Sequence, residues 1–420
     1  MTAQTAYPSL PAFAVFAAML SAAGLPLYMH APKFFVDEYG VSLAALGGVL
    51  FVLRLLDVVQ DPLLGQVSAR LRARRGGTVF VAGALMALGI FGLFGMAPLF
   101  APLWWFAVML TLVFTSFSYL TICFYAQGVS GAATLGEGGH IRLARWRETG
   151  ALIGICAAAV APVLFGSYAV FALSFGVLAI IALLGMRTQW RGAPDLSDDV
   201  KSELRIVVQD PVARRLLFVA LANSAPVAVS STLFLFFVAD RLKLPGWEGA
   251  FLLLFFVSAA CAAPIWGRLA ENFDARRVLL SGMVLSIAAF GYAIMLGPGD
   301  ALAFGIICVA SGIALGADMT LLPALFATRL GQVAPGAAVG FSLWSFVSKM
   351  SLAFAAVALL PLLEFAGYTP GQQNSDRALF SLALLYGAVP CFLKFVAIML
   401  LAGLPASTIA PLSPSIRKGA

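Results

Sequence analysis

The feature that most constrains the fold of this chain is a series of apolar segments, each of about 20 or more residues, that recurs along its length. Twelve such segments are present, and each is long enough to cross a bilayer as a helix. Their approximate bounds are 10–36, 43–68, 78–97, 101–128, 142–166, 168–187, 212–239, 246–271, 276–297, 300–329, 337–364 and 378–404. Charged residues make up only 11% of the sequence, against about 25% in soluble domains. The sequence therefore predicts an all-α membrane protein with twelve transmembrane helices.

The loops between these segments differ strongly in their content of lysine and arginine. Nineteen basic residues lie in one set of loops or at the termini, whereas only four lie in the opposite set. Because excess Lys and Arg marks cytoplasmic loops, we expect both termini in the cytoplasm of a multi-pass protein of the inner (plasma) membrane. The net charge of +7 then reports topology, and we expect no nucleic-acid partner. The nineteen residues are Arg70, Arg72, Arg74, Arg75, Arg142, Arg145, Arg147, Arg187, Arg191, Lys201, Arg205, Arg214, Arg215, Arg268, Arg276, Arg277, Arg329, Arg417 and Lys418.

The chain also contains a repeat. The longest polar stretch, residues 187–215, separates six apolar segments from six more. Pro62 and Gly65 precede an arginine-rich loop after the second segment, and Pro264 and Gly267 do so after the eighth, 202 residues later. This pattern predicts two six-helix bundles related as parallel repeats. The predicted units are an N-terminal bundle over 1–187, a cytoplasmic linker over 188–211 and a C-terminal bundle over 212–420.

Ionisable residues inside a bilayer are costly, and the second segment holds three of them: Arg54, Asp57 and Asp61. Their spacing of three, four and seven residues puts them on one helix face. Two carboxylates one turn apart can share a cation, or one can bind a proton while the other stays ionised. We therefore predict a coupling-ion site, with Asp57 and Asp61 as metal ligands if the ion is sodium. The alternative is a structural Arg54–Asp57 pair.

Two lysines and one further aspartate lie in the C-terminal segments. Lys349 and Asp57 are each about 11 or 12 residues from the inner ends of their segments, so they are predicted at nearly the same depth. Lys349 is thus a candidate competitor of the coupling cation, or else one half of a plain salt bridge between the bundles. Lys394 lies nearer the cytoplasmic end and is expected to snorkel to the interface.

Asp318 follows Gly312 and Gly316, which predict a close approach of another backbone. We weigh a substrate-binding role for Asp318 equally with that of a hydrogen-bonded structural acid.

The repeated loops resemble those of the major facilitator superfamily, whose 2–3 and 8–9 loops carry a Gly-x-x-x-Asp-Arg/Lys-x-Gly-Arg/Lys motif. The acidic position of the first copy is occupied here by Ala69, while the second copy has Glu271. The resemblance implies the two-bundle fold of that superfamily, and the degenerate first copy puts its usual gating ion pair in doubt.

A closer resemblance is to the glycoside–pentoside–hexuronide:cation symporters, which include melibiose permease. The Arg-x-x-Asp-x-x-x-Asp-Pro string that begins at Arg54 is similar to the second helix of that family. Residues 141–148 resemble the start of its fifth helix, residues 340–349 its eleventh helix, and residues 367–370 the loop that follows. The resemblance implies that the two aspartates bind sodium, lithium or a proton, that Arg147 lies near the substrate, and that Lys349 is the buried lysine.

The sequence departs from that family where sugar-binding acids are usual. The first segment contains no Asp or Glu, and Thr121 stands where the family has Asp or Asn. Because a sugar needs fixed acceptors for its hydroxyls, these changes indicate a less polar glycoside or an amphiphile such as a lysolipid. Thr121 remains a candidate residue of the cation site. Because threonine carries no negative charge, a proton is favoured over sodium as the coupling ion. Candidates for stacking on a substrate ring are Tyr28, Tyr119, Tyr125 and Trp344.

These features predict a cation-coupled symporter of a sugar, glycoside or related small organic solute that works by alternating access. Lysolipid symport, or proton-coupled efflux of apolar compounds, is the alternative. A receptor or scaffold without transport is a third hypothesis, and the sequence lacks the short motifs of an enzyme. We expect a monomer whose partners are a small-molecule substrate and the bilayer, with no cofactor besides the coupling ion, H⁺ or Na⁺.

Overall fold

The structure, a computed structural model, describes residues 8–136, 138–190, 200–333, 338–368 and 374–404. The described residues are almost entirely helical and include no β-strand. The α-helices, in chain order, are α1 (Leu10–Ala22), α2 (Leu25–Tyr39), α3 (Leu43–Arg70), α4 (Arg75–Phe94), α5 (Pro102–Thr134), α6 (Gly139–Phe165), α7 (Tyr168–Met186), α8 (Val200–Gln209), α9 (Pro211–Phe236), α10 (Glu248–Asn272), α11 (Ala275–Ala293), α12 (Ala301–Val333), α13 (Ala338–Phe365) and α14 (Asp376–Ala402).

Twelve membrane-spanning helices in two six-helix bundles make up the fold, as the sequence predicts. Among the described residues, eight helices satisfy both length and hydropathy for a bilayer span. The predicted first segment differs from the others because it is broken at Gly24 into α1 and α2. Pro26, in the first turn of α2, has no backbone N–H, so the hydrogen-bond ladder of α1 cannot continue through it. The fourth segment is longer than predicted, since α5 reaches Thr134.

The connection between the bundles contains the short helix α8, and Asp210 follows it. The Asp210 carboxylate caps α9 by accepting from the Ala213 amide at 2.7 Å. It also accepts from Arg329 of α12 at 3.0 and 2.5 Å. Partial burial opposes the charge, but these hydrogen bonds prevail and lower the pKa of Asp210. The predicted domain boundaries stay predictions, because residues 191–199 lie outside the described part of the chain.

Because successive membrane-spanning helices run in opposite directions, their arginine-rich ends belong to one face of the protein, which carries Arg72, Arg142, Arg268 and Arg277. We refer to it as the arginine-rich face. Near this face an apolar cluster joins the two bundles, with Ile122 and Val129 of α5 packed among side chains that include Leu325 of α12 and Phe341 of α13. The contacts between bundles thus close the protein on this side.

Glycines allow helices within each bundle to pack backbone against backbone. A Cβ atom on Gly150 or Gly154 of α6 would overlap the carbonyl oxygen of Ala14 or Ala18 of α1. The close approach predicted at Gly312 is confirmed in the C-terminal bundle, because a Cβ there would overlap the carbonyl oxygen of Phe255 in α10. Backbones at this separation leave no room for a methyl group.

We predict that Gly150→Ala and Gly154→Ala each lower the free energy of unfolding by about 1–3 kcal/mol, because the added methyl group forces α1 and α6 apart. Thermal unfolding of the purified protein in detergent measures the effect. The matched control is Gly176→Ala in α7, where a Cβ meets nothing within 4 Å and the change is neutral or stabilising. Equal melting temperatures for all three variants would contradict the packing described.

Candidate functional site

The centre of the candidate site is Lys349, which reaches from α13 to two carboxylates on α3. Its Nζ atom lies 3.0 Å from Asp61 Oδ1 and 3.7 Å from Asp57 Oδ2. It also donates to Ser118 Oγ of α5 at 2.6 Å. The prediction that Asp57 and Lys349 lie at the same depth is confirmed by these distances, whereas their roles in transport stay predictions.

Hydrogen bonds from neighbouring side chains hold both carboxylates in position. The hydroxyl of Ser345, one turn before Lys349 on α13, donates to Asp61 Oδ2 at 2.6 Å. The Gln60 amide donates to Asp57 Oδ1 at 2.8 Å, and it accepts from the Thr115 hydroxyl at 3.1 Å. We call Asp57, Asp61, Ser118, Ser345 and Lys349 the interbundle cluster.

The interbundle cluster is buried and it joins the two bundles electrostatically. Asp57 is 3% exposed and Asp61 is fully buried. Every recorded hydrogen bond of Lys349 and Ser345 within the cluster crosses from the C-terminal to the N-terminal bundle. Removing one partner of such a pair leaves an uncompensated buried charge, which typically costs about 3–5 kcal/mol. The cluster therefore ties the state of the carboxylates to the relative position of the bundles.

A second buried cluster lies closer to the arginine-rich face. Arg147 Nε donates to Glu148 Oε1 at 2.6 Å, and the Tyr125 hydroxyl donates to the same oxygen at 3.1 Å. The Arg147 guanidinium lies 3.9 Å from the centre of the Tyr125 ring, a cation–π contact. Across the interface, the ring of Phe341 of α13 lies 4.9 Å from the Tyr125 ring. The structure thus brings together two predicted substrate residues, Arg147 and Tyr125, at the interface between bundles.

The remaining predicted site residues of the N-terminal bundle are less closely grouped. Thr121 lies one turn beyond Ser118 on the same face of α5, and its buried hydroxyl has no hydrogen-bond partner. Tyr119 is directed into its own bundle, where its hydroxyl donates to Thr78 at 2.7 Å. Arg54 and Tyr28 lie on α3 and α2, but their side chains are outside the described residues.

In the C-terminal bundle, Trp344 packs against Phe326 of α12 with ring centres 4.9 Å apart. Like Tyr125, it also packs against the apolar cluster that joins the two bundles. The loop motif that begins at Gly367 extends beyond the described residues from Thr369 onward, and Tyr368 before it donates its hydroxyl to Asp240.

The prediction that Lys394 snorkels to the membrane surface is wrong. Lys394 is 2% exposed, and its Nζ donates to Asp318 Oδ2 at 2.5 Å and to Asn223 Oδ1 at 2.7 Å. Asp318 and Asn223 supply acceptors for the ammonium inside the bundle, so the side chain turns to them and not to the interface. Sequence reasoning missed this trio, although each member is a polar residue in an otherwise apolar segment. Asp318 therefore lies apart from the interbundle cluster.

The acidic residue of the second loop motif also joins the bundles. Glu271, at the end of α10, forms an ion pair of 2.9 Å with Arg145 of α6. Gly267, one turn before Glu271, gives the Arg145 side chain its space, because a Cβ there would lie 2.7 Å from it. The degenerate motif thus retains one ion pair between bundles at the arginine-rich face.

Among the residues that the structure describes, no group of three or more His, Cys, Asp or Glu side chains is placed to hold a metal ion. A sodium ion at Asp57 and Asp61 would need hydroxyl or amide oxygens to complete its shell. Ser118, Ser345 and Gln60 are the neighbours able to supply them.

The sequence matches the family described as MFS/sugar transport protein over residues 11–407. A search of curated proteins found no significant match. Three solved structures illustrate the shared fold. A bacterial homologue of the iron transporter ferroportin, in an outward-facing state, is 14% identical with a TM-score of 0.68 and covers 94% of this chain and 99% of its own. The Escherichia coli fucose:proton symporter is 15% identical with a TM-score of 0.62, covering 92% and 97%.

The third structure, a human organic anion transporter, is 16% identical with a TM-score of 0.59 and covers 93% and 98% of the two chains. At these identities the structural likeness concerns the fold alone.

Two ion pairs of the site differ in burial and provide a matched test of its energetics. We predict that Glu148→Gln lowers the free energy of unfolding by about 3 kcal/mol or more, because Arg147 is then buried without a counter-charge. Glu271→Gln removes a pair whose side chains are 19% and 23% exposed, and we expect a loss of about 1 kcal/mol or less. Melting temperatures of the two purified variants test this order, and a larger loss for Glu271→Gln would refute it.

Proposed function

Because the chain belongs to the MFS/sugar transport protein family, we propose that it is a cation-coupled symporter of a sugar, glycoside or related small organic solute. Family membership makes the chain a membrane transporter and not an enzyme. The observation that carries the finer proposal is the position of Lys349, which lies 3.0 and 3.7 Å from two buried carboxylates of the opposite bundle. It accords with the resemblance to the glycoside–pentoside–hexuronide:cation symporters.

The first step of the proposed mechanism is competition between Lys349 and the coupling ion. The Lys349 ammonium occupies the side of the carboxylates that a cation would approach. A proton on Asp57 or Asp61, or a sodium ion bound between them, weakens the attraction that holds Lys349 in place. Ion binding and the Lys349 contacts therefore oppose each other.

The second step is the movement of one bundle against the other. Release of Lys349 breaks its bonds to Asp61 and Ser118, which connect α13 to α3 and α5. The ion pair of Arg145 with Glu271 then remains as a polar link at the arginine-rich face. Loss of the cluster lowers the cost of parting the bundles on that side, as alternating access requires.

We propose that the substrate binds between the interbundle cluster and Arg147. Thr121 has an unpaired hydroxyl on the intervening turn of α5, and Trp344 and Tyr125 provide aromatic surfaces nearby. Binding there would require the bundles to part around the apolar cluster, and it would give Thr121 a partner. The absence of an acid at position 121 and in the first segment favours a solute with few hydroxyl groups that need acceptors.

A second candidate substrate class is an amphiphile, and a specific cavity favours it. Helices α9, α13 and α14 line a cavity of about 500 Å³ that is open to the protein surface. Its walls are almost entirely apolar and suit an acyl chain. Ser351 also lines the cavity, on the face of α13 that contacts α9, whereas Lys349 faces α3 and α5, so the cavity is separate from the interbundle cluster. The residues that line the cavity include Leu221, Ala225, Ser351, Leu359, Leu393 and Val396.

One screen distinguishes these substrate classes. We expect the melting temperature of the purified protein to rise with a sugar or glycoside, and to rise further when sodium is added or the pH is lowered. Lysolipids are tested in parallel, at concentrations matched to the detergent. If only lysolipids raised the melting temperature, the substrate would be an amphiphile and not a sugar. If the rise were the same with and without sodium and at every pH, the proposal of cation coupling would be wrong.

Coupling is tested with the ligand that the screen identifies. We predict that Asp57→Asn and Asp61→Asn each abolish uphill accumulation in vesicles, because the neutral amide cannot exchange a proton or attract sodium. Accumulation is measured with an imposed proton or sodium gradient. The control is Asp376→Asn, which changes an exposed carboxylate in the first turn of α14 and is expected to behave as wild type. If uptake by the wild-type protein were unchanged by a proton gradient and by a sodium gradient, symport would be disproved.

A further inference from the structure

The trio of Lys394, Asp318 and Asn223 is a second buried charge site, contained within the C-terminal bundle. The three residues lie on α14, α12 and α9, and they are 2%, 7% and 5% exposed. Both charges are withdrawn from water, and withdrawal costs several kcal/mol per ion after relaxation. The carboxylate and the ammonium therefore both need hydrogen-bond partners or opposite charges within the site.

Compensation is unequal for the two groups. The Lys394 ammonium has two acceptors, Asp318 Oδ2 at 2.5 Å and Asn223 Oδ1 at 2.7 Å. By contrast, Asp318 Oδ1 is buried and accepts no hydrogen bond. An ionised carboxylate oxygen without a donor is costly in a low-dielectric interior. Protonation of the carboxyl group removes the cost of burying an ionised oxygen that has no donor.

Lys349 of α13 lies at a comparable depth in the described part of the chain, but its ammonium is already paired with Asp57 and Asp61. Most charged residues of the neighbouring helices lie in or near the terminal turns of those helices. Arg147 and Glu148 of α6 and Lys349 of α13 belong to the two buried clusters described above. Cys391, one turn before Lys394, donates its thiol to the Ile287 carbonyl of α11 at 3.4 Å. The charged residues are Lys201, Glu203 and Arg205 on α8, Arg214 and Arg215 on α9, Glu248, Arg268 and Glu271 on α10, Arg276 and Arg277 on α11, Arg329 on α12, Lys349 and Glu364 on α13, Asp376 and Arg377 on α14, and Arg142, Arg145, Arg147 and Glu148 on α6, while α5 has none.

We propose that Asp318 is a second proton-binding site of this protein, separate from the interbundle cluster. A proton from the aqueous phase forms an O–H bond at Oδ1, and no covalent bond breaks. The carboxylate becomes a neutral acid, so the Asp318–Lys394 pair changes from zero net charge to +1. Lys394 keeps Asn223 Oδ1 and the uncharged Oδ2 as acceptors. The C-terminal bundle thereby gains a positive charge at low pH that it lacks at high pH.

A short path of contacts links this site to the interbundle cluster. Ser351, two residues after Lys349 on α13, donates its hydroxyl to the Leu221 carbonyl of α9 at 3.0 Å. Leu221 in turn lies two residues before Asn223. A movement of α13 that accompanies release of Lys349 would therefore strain the α9 segment that holds Lys394. Proton binding at Asp318 and ion binding at the interbundle cluster are thus expected to influence each other.

The test is an infrared pH titration of the purified full chain without substrate, between roughly pH 4 and pH 9. All variants carry Asp57→Asn and Asp61→Asn, so the carboxylates of the interbundle cluster contribute nothing. We expect a protonated-carboxyl band that grows on acidification and is lost in Asp318→Asn. In Lys394→Gln the band should appear at a pH higher by about one unit or more, because the carboxylate has lost its cationic partner.

A structural ion pair predicts a different result. If the band is unchanged by Asp318→Asn, or its midpoint is the same in Lys394→Gln, the proton site does not exist. The double change Asp318→Asn/Lys394→Gln removes both charges together, which guards against misfolding of the single variants, and it must also lack the band. The control Glu271→Gln changes a carboxylate outside the site and should leave the band intact. Since Asp57 and Asp61 are absent throughout, failure here leaves the proposed symport mechanism untouched.

Discussion

A charged side chain inside a bilayer must find its partner within the protein, and this requirement organises the interior of this chain. Lys349 meets it by crossing from one bundle to the other, where it lies between Asp57 and Asp61. Because both carboxylates are buried, neither can exchange Lys349 for water while the bundles stay in contact. The closed arrangement of the bundles therefore depends on a pairing that an incoming cation can replace.

Three groups of paired charges fall into two kinds, which differ in what they connect. The interbundle cluster and the Arg145–Glu271 pair join the two bundles, so their strength bears on alternating access. The Asp318–Lys394 pair lies inside one bundle, and its breakage would alter that bundle alone. This division separates groups that can drive rocking from groups that can only modulate it.

Much of this fold follows from the sequence, whereas the site follows only in part. Segment lengths and apolar content set the number of helices, and the spacing of Asp57 and Asp61 set their shared face. Counting residues from the inner ends of the segments also predicted the correct depth of Lys349 in the membrane. It failed for Lys394, because position along a helix does not tell whether a partner such as Asp318 lies across the bundle. The direction of Tyr119 was beyond prediction for the same reason.

The sequence by itself determined the class of protein, since a chain so poor in charge can satisfy its backbone only as helices in lipid. It also determined which residues had to be explained, because each intramembrane charge is conspicuous against apolar neighbours. The tertiary structure alone decided the pairing. Whether Lys349 meets Asp61, or Lys394 meets Asp318, depends on which helices pack together and at what rotation. Those quantities arise from contacts between residues far apart in the chain, and no local pattern encodes them.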